Sequence, residues 1–164
     1  ALSVIIFSML VASGLGSYFS RALAGDDARR LGLLLLLVVL AVGAMALSAG
    51  PLTSLAVAWP MPAKILLAVC AVSPAAFLMG TAFPTGLAEL ERRDPLAVRW
   101  AWALNAAASV LGSVMAVALA LYLGLRETLA AGALMYAGAW FMMRRWPAPK
   151  PLPAPALSCS DGAA

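Results

Sequence analysis

The residues of this chain able to do chemistry are few, and their types exclude much. There is no histidine. That removes a Ser-His-Asp triad, a histidine-ligated metal and an imidazole proton shuttle. The two cysteines, Cys70 and Cys159, are too few for a four-cysteine zinc site. Cys70 lies in an apolar run and reads as a small buried apolar residue. Cys159 lies in a proline-rich tail, so no disulfide between the two is expected. The chain itself is therefore expected to hold no catalytic group, no metal and no cofactor.

The remaining polar groups fall into small constellations. Glu89, Glu91 and Asp94 are carboxylates close enough in sequence to suggest acid–base or metal chemistry. They are interleaved with Arg92 and Arg93, so a solvated, salt-linked loop is the expected structure. Docking of a soluble domain or of anionic lipid is the functional alternative there. Asn105, Ser109 and Ser113 recur every four residues and share one helix face. An intramembrane polar stripe either joins helices or lines a pathway, and both readings stand.

Two small-residue patterns point to close helix packing. One is Ser13-Gly14-Leu15-Gly16-Ser17; the other is Ala108 with Gly112. The Gly-x-Gly of the first lacks a third glycine and a preceding strand, which argues against nucleotide binding. Pro74, after Ser73, frees the carbonyl of residue 70 and is expected to kink its helix.

These groups need a scaffold, and composition says which solvent it faces. Of 164 residues, 64% are hydrophobic and 11% charged, and the mean hydropathy is +0.97. Soluble domains run near 45–50% apolar and about 25% charged. Lipid is the solvent such a chain requires. Five apolar stretches are long enough to propose as spans: 2–19, 31–49, 63–83, 100–123 and, the shortest, 128–143. All must be helical, because an open strand edge leaves backbone groups unsatisfied in lipid.

The charges between the stretches alternate. Arg21, Arg29, Arg30, Arg92, Arg93, Arg99, Arg144, Arg145 and Lys150 fall on one side of a five-span arrangement. Lys64 and Arg126 alone fall on the other. The positive-inside rule then predicts an outside N-terminus and a cytoplasmic C-terminus in a bacterial inner membrane. The net charge of +4 needs no nucleic-acid partner to explain it. The segment 147–164 is rich in Pro, Ala and Ser and is expected to be a disordered cytoplasmic tail behind a helical bundle over 1–146. The chain begins at Ala1 inside an apolar run, without an initiator Met or a signal-peptide pattern. A longer parent protein is expected.

Three segments together resemble a family. They are Phe7–Ser17 (FSMLVASGLGS), Phe77–Leu87 (FLMGTAFPTGL) and Trp100–Ser113 (WAWALNAAASVLGS). Their order and spacing are similar to the C-terminal membrane region of large bacterial spermidine synthase-like proteins. The third segment, with its Trp-x-Trp, asparagine and small-residue run, is the most specific. The resemblance covers roughly 1–145 and implies a cytoplasmic SAM-type domain of Rossmann-like fold in the same parent protein. That parent would be an aminopropyltransferase or methyltransferase. None of the catalytic elements lies in this chain, so no catalytic residue carries over. The region also looks distantly similar to half of a major facilitator bundle, although the Asp-Arg-x-Gly pattern of that fold is absent and five helices stand where six are usual.

The expected fold is an all-α polytopic membrane bundle, with spans one and four packed through their small faces. The expected partners are the lipid bilayer, the SAM-type domain and a possible second copy of the chain. The expected role is a membrane module that anchors the transferase. A transporter-like bundle moving a small amine, with Asn105 and Ser109 on its path, and a purely structural anchor are the alternatives.

Overall fold

The computed structural model describes residues 2–24 and 28–145. They form five helices and, among the described residues, no strand. These are α1 (Leu2–Ala24), α2 (Ala28–Ala56), α3 (Met61–Arg93), α4 (Ala97–Tyr122) and α5 (Leu125–Arg145). The first four are long and apolar enough to cross a membrane.

The fifth, α5, forms as a helix where the shortest span was expected, but it is not among those four. Its uncharged stretch, Thr128 to Met143, reaches only about 24 Å at helical rise, against about 30 Å of hydrocarbon. Arg126 and Glu127 lie in its first turn, and Arg144 and Arg145 close its last.

The other helices overrun their expected bounds for identifiable reasons. The segment 50–62 is expected as a loop, yet α2 continues through Pro51 to Ala56. Pro51 interrupts only its own donor, and Thr53 and Ser54 donate hydroxyl bonds back to the carbonyls of Ala49, Gly50 and Pro51. The connection shrinks to 57–60. Lys64 then reaches back from α3, its Nζ 2.9 Å from the Val57 carbonyl. A cation at the end of a helix complements the exposed carbonyls there.

The second correction concerns 84–94. Pro84 and the charges after it suggest a loop, but α3 passes through both Pro74 and Pro84 to Arg93. Asp94 ends it. Its Oδ1 accepts the backbone N–H groups of Leu96 and Ala97 at 3.0 and 3.3 Å, which starts α4. Between α4 and α5, Gly124 has φ 107°. That region favours glycine, and the N–H of Gly124 bonds the Leu119 carbonyl. The Gly124 carbonyl in turn accepts both the N–H and the hydroxyl of Thr128.

Short connections make successive helices reverse direction, so α1 and α3 run the same way. The bundle is organised around α3, which touches α1, α2 and α4, while α5 packs on α2 and more lightly on α4. The buried positions Leu31, Leu35, Val38, Val42 and Ala46 recur at intervals of four and three and form one face of α2. Val38, Val42 and Ala75 make a core cluster against which Leu78, Leu129, Ala133 and Tyr136 pack. No residue of α4 is buried. Leu104, Val110, Leu111 and Val114 lie in the open, a surface that needs lipid or protein to cover it.

The expected contact between spans one and four does not occur. No contact joins α1 and α4. The small face of α1 packs on α3 instead.

Candidate functional site

The tightest contact in the bundle is built by two glycines. Gly16 on α1 is buried, and a β-carbon placed there would overlap the backbone carbonyl of Phe77. Gly80 on α3 faces the backbone of Ser13 in the same way. In two helices running the same way, each Cα–Cβ bond tilts toward its N-terminus. Each glycine therefore meets the backbone of the other helix one turn toward its N-terminus, and the two contacts are reciprocal. Close backbone approach of this kind is the usual means of holding helices together where lipid removes the hydrophobic drive. Of the residues expected to pack, Ser13 and Gly16 face α3. Gly14 and Ser17 are exposed, and nothing lies within 4 Å of a Gly14 β-carbon.

Below this contact, α3 carries a buried polar stripe. Thr81, Thr85 and Glu89 are spaced by four and buried, and Ser20 of α1 is buried too. The hydroxyls bond along their own helices: Thr81 Oγ1 to Leu78 O, Thr85 Oγ1 to Thr81 O and Ser20 Oγ to Ser17 O, each at 2.7 Å. The stripe is thus satisfied internally, and no buried side-chain nitrogen or oxygen lacks a partner among the described residues.

Glu89 closes the stripe. Its Oε2 accepts from Arg92, and its Oε1 accepts from Arg93 at 2.7 Å. These pairs, at i,i+3 and i,i+4, lie on one helix surface. The solvated loop expected here is instead a helix end with a buried carboxylate. Glu91 is exposed, and Asp94 serves the α4 turn. Glu89 and Asp94 do separate structural work, Glu91 lies in the open, and the three form no acid–base pair. No group of metal-binding side chains occurs among the described residues.

The polar stripe of α4 is placed differently. Asn105, Ser109 and Ser113 share one face and all three are exposed, as are Ala108 and Gly112. Ser109 and Ser113 donate to the carbonyls four residues back at 2.7 Å. None of these residues borders the apolar cavity of about 440 Å³ between α2 and α3, whose lining includes Lys64. Pro74 and Cys70 are exposed, so the expectation of a buried Cys70 is corrected. Cys159 and the tail 147–164 lie outside the described residues.

At the basic end, α3 and α4 meet through aromatic rings. Phe83 and Trp102 are edge to face, with centroids 5.2 Å apart and planes at 78°. Gly80, Thr81, Thr85 and Phe83 carry much of this geometry; sequence reasoning placed them within the segment Phe77–Leu87 and gave none of them a packing role. The signal was present as Ala76-xxx-Gly80 and as the four-residue spacing of Thr81, Thr85 and Glu89. No protein-family model, curated protein or solved structure matches the chain.

Proposed function

We propose that this chain is the membrane module of a spermidine synthase-like protein and that it anchors a cytoplasmic SAM-type transferase domain. The observation that carries the reading is the mutual contact of the three segments on which the resemblance rests. Gly16 in the first meets Phe77 in the second, and Gly80 in the second meets Ser13 in the first. Phe83 in the second meets Trp102 in the third edge to face. The three segments thus describe one packed unit instead of three unrelated apolar runs.

The charge pattern supports the orientation. Alternating helix directions gather Arg21, Arg29, Arg93, Arg99 and Arg144 at one end and leave Lys64 and Arg126 at the other. In this reading the basic end faces the cytoplasm, where the transferase domain would sit. The α4 face bearing Asn105 points outward from the bundle. It is available to pack on further membrane helices of the parent or on a second copy.

The test is ligand binding by the intact native protein. It is captured from host membranes with an antibody to 147–164 and exposed to radiolabelled SAM or decarboxylated SAM. Saturable retention of either ligand supports the reading. A captured protein that retains neither, while remaining folded in detergent, contradicts it.

A further inference from the structure

A cavity of about 510 Å³ opens at the basic end between the start of α2 and the end of α5. Its walls combine two chemistries. Arg29 and Arg144 supply a cation from each helix, and Trp140, Leu33 and Leu36 supply apolar surface. The Arg144 guanidinium lies over the Trp140 ring, 4.8 Å from its centroid. Gly32 leaves the groove open: no atom lies within 4 Å of the place its β-carbon would take. Leu33 is exposed along the flank.

The level of this cavity in the membrane follows from the helices that make it. Arg29 immediately precedes the apolar run of α2, and Arg144 immediately follows that of α5. Both arginines, with Trp140 beneath the Arg144 guanidinium, therefore lie where headgroups meet hydrocarbon. Two planar guanidinium groups suit a phosphate oxyanion, since arginine presents paired donors to such groups. The adjoining leucines suit acyl chains. The volume lies within the range of small-molecule sites, about 300–1,000 Å³.

We propose that the cleft between α2 and α5 is a binding site for an anionic glycerophospholipid, with its phosphodiester held between Arg29 and Arg144 and its chains along Leu33 and Leu36. Such a lipid would fill the gap between α5 and α2 and tie the short fifth helix to the bilayer. The inference needs the bundle to sit in a membrane and does not depend on the transferase reading.

Trp140 provides the readout. The full chain is reconstituted in phosphatidylcholine nanodiscs doped with brominated phosphatidylglycerol or, separately, brominated phosphatidylcholine. The Trp140 signal is obtained by difference against Trp140→Phe. The expected result is stronger quenching by the anionic lipid at equal mole fraction. The preference falls about fivefold for Arg144→Gln, the factor corresponding to one membrane-surface charge, and by a smaller factor for Arg29→Gln, because Arg29 also has an interaction within the protein. Gly32→Leu, which fills the groove without meeting backbone, lowers it independently of charge. Arg126→Gln, at the opposite end, leaves it unchanged. Equal quenching by both lipids overturns the proposal, as does an equal loss in Arg126→Gln. Relief of quenching by millimolar inorganic phosphate would show a site for the free anion instead of a lipid.

Discussion

Gly80 of α3 lies directly against the backbone of Ser13 of α1, so close that a β-carbon at Gly80 would overlap the Ser13 carbonyl oxygen. Gly16 makes the reciprocal approach to Phe77. A methyl group at either glycine meets backbone, which cannot rotate aside. Gly80→Ala and Gly16→Ala should each destabilise the bundle by about 1–3 kcal/mol, the usual range for overpacking. Gly14→Ala, which meets open space, should have no such effect. Thermal unfolding of the three variants in one detergent checks this. Equal behaviour of Gly14→Ala and Gly80→Ala would contradict the packing.

Glu89 is buried, and both of its oxygens are engaged by arginines. Glu89→Ala removes the acceptor shared by Arg92 and Arg93. A charge-assisted hydrogen bond is worth about 1.5–3 kcal/mol, and the exposure of Arg92 screens part of its share. A loss of about 2 kcal/mol is expected. Glu91→Ala, at an exposed position two residues on, should stay within about 0.5 kcal/mol. Chemical unfolding of the pair separates the two carboxylates.

How much of this was legible in the sequence depends on the kind of feature. The apolar runs announced α1 to α4 because length and composition alone decide whether a helix can span. Helix ends were less legible. The expected bounds at 49 and 83 stop just before Pro51 and Pro84, yet a proline removes one donor and both helices proceed through it. The small face of α1 was legible as a packing surface, but its partner was not. A small-residue stripe states that something approaches closely and does not say what, and α3 and α4 both carry such stripes. The stripe Asn105, Ser109 and Ser113 was legible as one face. Its outward direction is a property of the neighbours of α4, which its own periodicity does not contain.

Val38 is fully buried at the centre of the core cluster. In lipid the unfolded reference is also apolar, so the transfer contribution seen in water is reduced and the cavity contribution remains. Val38→Ala should cost about 1 kcal/mol, less than a comparable truncation in a soluble core. Val57→Ala, at an exposed position, serves as its control in the same unfolding assay.

Asn105 is exposed on a helix with no buried residue. Asn105→Ala should therefore leave the stability of the isolated chain within about 0.5 kcal/mol. In the larger parent proposed above, the same substitution should weaken the contact that covers α4, by about 0.6–2 kcal/mol. Unfolding of the isolated chain and of the intact parent, run side by side, reads the difference. Identical small effects in both would leave the α4 face without a partner.

The central claim is that this bundle belongs to a larger transferase. An antibody against 147–164, used to blot denatured host membranes, measures the size of the native polypeptide directly. The account predicts a single integral-membrane band several times larger than 16.9 kDa. A band at 16.9 kDa would mean a free-standing membrane subunit and would contradict the fused-module reading.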